Sequence, residues 1–167
     1  MEEKLAAPWV CTALMRIGTR MAAGFDQHFV TFGVTQAQFR ILLALSELGG
    51  GEGIAPSTLA AHLMLERPTV SVLTNRMVER GWLKRTKGAN RRTFLLVLDE
   101  AGRELLIRMT PHAISLAEAT LSSLHSDDIC ALRSALESIE ASLRGVSNSD
   151  ECPIPAPVGG RTDTPTA

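Results

Sequence analysis

The sequence predicts a mainly α protein with a small β-wing: a winged helix-turn-helix core with N- and C-terminal helices suited to dimerisation. Three observations predict it. Two short helical segments, 58–64 and 68–80, lie only a few residues apart, as in a helix-turn-helix pair. The second runs into Gly81 and then two β-rich stretches around the turn Lys87-Gly88-Ala89-Asn90. Long amphipathic stretches come before and after this core.

The elements follow in order. Residues 1–7 read as a loose arm, and residues 8–30 as a first helix with Val10, Leu14, Ile17, Met21, Phe25 and Phe29 on one stripe. The core spans 33–98. Gly33-Val34 breaks the first helix, and Thr35 with Gln38 forms a capping box for a second over 36–48, which carries Phe39, Leu42, Leu43 and Leu45. Gly49-Gly50-Gly51-Glu52-Gly53 is a flexible loop. Ile54 is a single strand residue able to pair with the base of the hairpin. Pro56-Ser57 opens the third helix, with Leu59 and Leu63 inward.

The fourth helix, 68–80, turns Val70, Leu73, Met77 and Val78 inward and leaves Arg67, Thr69, Ser71, Val72, Asn75 and Arg76 outward. Gly81 is a C-terminal stop, Trp82-Leu83 starts one strand and 93–98 returns it. Asp99 caps a fifth helix over 100–124, where Pro111 predicts a kink near Thr110 or two successive helices. Ser126, Asp127 and Asp128 cap a sixth helix that runs to Arg144. Its Ile129, Leu132, Leu136, Ile139 and Leu143 are spaced by three, four, three and four residues. Such a seam suits another helix, either within the chain or in a second copy; a homodimer built from 8–30 and 100–144 is the expectation. Residues 145–167, rich in Ser, Pro, Gly and Thr, read as a disordered tail.

Charge points to a partner. The chain carries a net −1, yet 66–92 holds eight Arg or Lys against two Glu. Cations gathered on one helix and one hairpin form an electrostatic footprint for phosphate, hence double-stranded DNA. Lys84, Arg85 and Lys87 fit phosphate contacts, while Arg91 and Arg92 fit a narrow minor groove. A charge run alone more often marks a solvated surface; its coincidence with the helix pair and the hairpin tip favours DNA.

Other classes recede. No apolar run approaches a membrane span, and MEEKLAAPWV lacks a signal-peptide pattern. The three cysteines, Cys11, Cys130 and Cys152, have neither metal spacing nor a disulfide framework, so a reduced, cytoplasmic protein is expected. His28, His62, His112 and His125 stand on separate predicted helices without a nucleophile or ligand partner, and no Gly-rich phosphate loop occurs. Neither an enzyme nor a bound cofactor is expected. A winged-helix protein-interaction module is the competing class; a salt-steep affinity for DNA separates the two.

Three stretches carry a family resemblance over roughly 8–144: Gly33-Val34-Thr35-Gln36-Ala37-Gln38-Phe39; Arg67-Pro68-Thr69-Val70-Ser71 with Arg76-Met77-Val78-Glu79-Arg80-Gly81-Trp82-Leu83; and Asn90-Arg91-Arg92 followed by Leu98-Asp99-Glu100-Ala101-Gly102. Together they resemble the MarR family of winged-helix regulators. The resemblance implies a homodimeric transcriptional regulator, most often a repressor, on a pseudo-palindromic operator. A recognition helix would lie in each major groove and a wing arginine in each flanking minor groove. Val72 stands where the family often has Arg, and Asn90 replaces its wing Asp.

The resemblance also implies release by a small aromatic effector, for which Trp9, Arg16 and Phe39 are the candidate lining; plain core packing is the competing reading of Trp9 and Phe39. One branch of the family senses organic hydroperoxides through a cysteine near the start of the first helix, where Cys11 stands. Tyrosines help to stabilise that thiolate, and this chain has none. A buried, small apolar residue is therefore the expected role of Cys11.

Overall fold

The computed structural model describes residues 3–88 and 93–146 of the chain. It forms two compact units, Met1–Ala119 and Thr120–Ala167. Helix α1 spans Glu3–Phe29 and is followed by a 3-10 turn, Val30–Phe32. Then come α2 (Gln36–Leu48), α3 (Pro56–Leu63), α4 (Arg67–Glu79), β1 (Leu83–Lys87), β2 (Phe94–Leu98), α5 (Glu100–Leu121) and α6 (Ser126–Val146). This is the expected mainly α architecture with a two-stranded antiparallel wing.

Local chemistry explains the elements. Thr35 Oγ1 accepts from Gln38 N–H and Gln38 Oε1 accepts from Thr35 N–H, so the capping box is complete. Such a cap satisfies two orphan donors and contributes on the order of 1 kcal/mol. Gly33 ends the 3-10 turn at φ +66°, a conformation that costs glycine little. The strands pair from Leu83↔Leu98 to Lys87↔Phe94, and Ile54 forms a bridge to Leu96 on the other edge of β2, as expected.

The core of the first unit centres on Phe29, Ile41, Leu42, Leu59, Val70, Met77, Leu83, Leu96 and Met109, all essentially inaccessible to water. Each contributes on the order of 2 kcal/mol through burial. Phe25, Phe29 and Phe39 stack in series, with ring centroids 5.5 Å and 4.9 Å apart.

Several boundaries differ from the expectation. The chain is already helical at Glu3, so residues 3–7 are not a loose arm. Glu3, Lys4, Leu5, Ala6 and Ala7 are all strong helix formers, and Pro8 forfeits one hydrogen bond without stopping the helix. α3 begins at Pro56 itself and ends at Leu63, because Met64 turns to φ +51°. α4 runs one residue earlier than expected at both ends.

α5 ends at Leu121 rather than Leu124, and Pro111 does not divide it. Beside the missing Pro111 N–H, the Thr110 hydroxyl donates to Leu106 O at 2.8 Å. α6 is capped by Asp128, whose carboxylate accepts from His125 N–H at 3.2 Å. It continues to Val146, so residues 145 and 146 are helical rather than part of a tail. The rest of the expected tail, with Cys152, lies outside the described residues. No single helix among the described residues is long and apolar enough to cross a membrane.

Candidate nucleic-acid interface

Three residues, Met64, Leu65 and Glu66, join α3 to α4. Met64 takes the left-handed conformation and its N–H closes on α3, while Leu65 N–H donates to Ala60 O at 3.0 Å. Arg40 of α2 donates through Nη2 to Leu63 O at 3.0 Å, tying off a carbonyl at the end of α3. The turn is thus fixed by backbone and by one arginine, which sets the angle at which α4 leaves the core.

α4 buries Val70, Thr74 and Met77 and half-buries Leu73 and Val78. Thr74 is the one buried position that hydropathy misses. Its hydroxyl donates back to Val70 O at 2.8 Å, which removes the cost of burying it. The spacing Val70, Thr74, Met77 was the available signal, since it continues one face. The opposite face exposes Arg67, Thr69, Ser71, Val72, Asn75 and Arg76, all six residues expected there. Glu66 makes no side-chain cap, so the first N–H groups of α4 have no competing carboxylate from that residue.

The hairpin continues the basic surface. Lys84, Arg85 and Lys87 of β1 are exposed. Lys84 Nζ lies 3.5 Å from an Asp99 carboxylate oxygen, a half-exposed pair of small energetic weight. The Arg85 guanidinium lies over the Phe94 ring, 4.7 Å from its centroid, and donates through Nη2 to Asn75 Oδ1 of α4. The sequence assigned Arg85 and Asn75 separately; the packing of β1 against α4 brings them together. Arg91 and Arg92, expected at the wing tip, and Asn90 beside them lie outside the described residues.

Arg80 contributes to the local charge, but it serves the fold. Its Nη1 donates to Gly33 O at 2.6 Å, and its guanidinium lies 4.9 Å from the Trp82 ring centroid.

The other candidate residues are dispersed. Trp9 is 68% exposed on α1, so it is not a core residue of this chain. Arg16, two helical turns further on, is exposed as well. Phe39 is buried against Phe29, in the core rather than in a crevice. Cys11 is exposed, not buried as expected. α1 turns Ala13 inward, and a position two residues away falls about 200° round the helix. Cys130 is exposed on α6. A shallow depression of about 210 Å³ lies between the Gly49–Gly53 loop, Val97, Leu98 and Arg103, and none of these candidates lines it.

Residues 32–92, the segment from the 3-10 turn to the wing, match the sequence profile of the MarR family. Over those residues the chain is MarR-like. The matched segment runs through α2, α3, α4 and β1. The chain is similar to the HTH-type transcriptional regulator PecS of Dickeya dadantii, with 25% identity over 80% of this chain and 81% of that protein. Its fold is similar to that of AbsC, a MarR-family transcriptional regulator of Streptomyces coelicolor. That match has a TM-score of 0.74 and 25% identity, and covers 83% of this chain and 94% of AbsC. It is also similar to Bordetella bronchiseptica BpsR, whose DNA binding is regulated by 6-hydroxynicotinic acid. Here the TM-score is 0.70 and the identity 26%, over 79% of this chain and 93% of BpsR.

Proposed function

We propose that this MarR-like chain is a sequence-specific regulator that binds double-stranded DNA through α4 and the wing, and that it acts as a repressor. The observation that carries the reading is the outer face of α4. Arg67, Thr69, Ser71, Asn75 and Arg76 are exposed on one helix face, and Lys84 and Lys87 of β1 are exposed as well. The uncapped start of α4 and the cations suit phosphates, and side chains further along suit base edges. Arg91 and Arg92 would extend the contact into the minor groove.

The functional unit is a homodimer on a pseudo-palindromic operator. The support is the seam on α6, where Ile129, Leu132, Leu136 and Ile139 are each 37–38% exposed, together with the apolar Trp9, Val10 and Ile17 exposed on α1. The chain works in the cytoplasm. A small aromatic acid releases it from DNA, a reading supported by the similarity to BpsR. Trp9 and Arg16 are the surface candidates for that ligand, and a second copy of the chain would be needed to enclose them. One observation favours a second reading: Cys11 is exposed and so open to peroxide, which would make it the sensing group.

Fluorescence anisotropy tests the proposal. The probes are a duplex from the region upstream of the coding sequence and a scrambled duplex, titrated at several salt concentrations. Sequence-dependent, salt-steep binding that is relieved by an aromatic acid is expected. Absence of binding to either duplex at low salt would overturn the DNA reading in favour of a protein-interaction module. Release by an organic peroxide in the wild type but not in Cys11→Ser would replace the aromatic effector with the redox reading.

A further inference from the structure

Asn75 and Arg85 form one unit rather than two independent DNA contacts. Arg85 lies on β1 and Asn75 on the outer face of α4, ten residues apart, and both are exposed. The Arg85 guanidinium lies over Phe94, its diagonal neighbour across the hairpin, with Cζ 4.7 Å from the ring centroid. From there Nη2 donates to Asn75 Oδ1. A guanidinium has five N–H donors and no acceptor. The atom of Asn75 that faces it must therefore be the oxygen, because the opposite rotamer would set an NH2 group against a cation.

The orientation of the amide has a chemical consequence. An asparagine reads adenine by accepting from N6–H2 through its oxygen while donating to N7 through its nitrogen. With Oδ1 turned to Arg85, the group that Asn75 presents to DNA is its Nδ2–H2, and the oxygen–nitrogen fork that reads adenine is no longer free as a pair. We propose that Arg85 is a positioning residue that makes Asn75 a donor-only reader. Asn75 then favours an acceptor edge in the major groove, guanine N7/O6 or thymine O4, over cytosine, which presents only an amino group, and over adenine, where N7 accepts but the N6 amino group is left unpaired. Arg85 acts through Asn75 and sets sequence choice as well as charge. This inference rests on the DNA-binding reading above.

The test uses the full chain and a pool of duplexes with randomised sequence; bound duplexes are sequenced. Wild type is compared with Asn75→Ala, Asn75→Asp and Arg85→Met, each checked for an unchanged thermal midpoint. The wild type is expected to enrich G or T at one position of each half-site. Asn75→Ala levels that position. Asn75→Asp also loses the preference, although its carboxylate keeps the bond to Arg85, because it has no donor. Arg85→Met frees Oδ1 and moves the same position toward adenine, by on the order of tenfold in relative affinity.

Three results would overturn the proposal. A wild-type preference for adenine at that position is the first, since it shows that Asn75 is not a donor-only reader. Arg85→Met weakening all sequences evenly, with base preference intact, reduces Arg85 to a phosphate contact. Asn75→Ala leaving every position unchanged removes Asn75 from base reading. A wild type that enriches no sequence at all sinks the DNA reading itself, and that is visible before any variant is compared.

Discussion

The carbonyl oxygen of Trp82 lies 2.1 Å from the point a Cβ on Gly102 would occupy. The same carbonyl accepts a hydrogen bond from Asp99 N–H at 3.0 Å. The first turn of α5 is thus pressed against the backbone where β1 begins, and only a glycine fits between them. Gly102→Ala is expected to destabilise the protein by about 2 kcal/mol or more, as overpacking against rigid backbone does. The thermal midpoint should fall by on the order of 10 °C. An unchanged midpoint would show that α5 can move away from β1 at little cost.

Thr35→Ala removes the oxygen that accepts from Gln38 N–H. A loss of about 1 kcal/mol is expected in denaturant unfolding, with an unchanged m-value. Thr35→Ser should retain most of the stability. Equal losses in both variants would mean that the hydroxyl is not what caps α2.

Arg80 and Lys87 should separate structural cations from DNA-facing ones. Arg80→Ala loses the bond to Gly33 O and the stack on Trp82. It should cost about 1 kcal/mol of stability, a modest figure because the group is exposed, and leave the slope of log affinity against log salt unchanged.

Lys87→Ala should do the reverse. Stability stays within about 0.5 kcal/mol, affinity falls by a similar factor for every duplex, and the salt slope decreases by roughly one. Anisotropy titrations at three or more salt concentrations check this. A sequence-selective loss would instead make Lys87 a base reader.

Leu136→Glu puts a charge in the middle of the α6 seam. The protein is expected to shift from dimer to monomer by light scattering, while the helical circular dichroism of the chain is largely kept. Operator affinity then falls by several orders of magnitude, because the two half-sites are no longer bound together. A dimer that survives would move the interface away from α6.

Much of this was legible in the sequence because the signals are local. The capping box, the Gly81 stop, the apolar face of α4 and the Ile54 bridge each rest on a few neighbouring residues whose chemistry allows little else. What escaped depends on residues that meet through the fold. Asn75 and Arg85 look like two separate polar residues until the turn at Gly81 packs β1 against α4. Trp9 and Cys11 looked interior because residues of their types are most often buried, and residue type does not say which way a helix turns them. The start of α1 was missed because Pro8 reads as a beginning, although it can sit inside a helix when the residues before it, Glu3 to Ala7, favour that state.

The bridge between Ile54 and Leu96 has a mechanical consequence. β2 is clamped at Leu96 from both edges, by β1 and by the exit of the glycine loop, and Gly53 is packed so closely that a Cβ there would come within 2.7 Å of Leu96 O. The hairpin beyond that point is a lever on a fixed fulcrum. The segment between α2 and α3 thus holds the base of the wing in place. A substitution that disturbs Ile54, which is itself buried in the core, would therefore loosen the base of the wing and the core together.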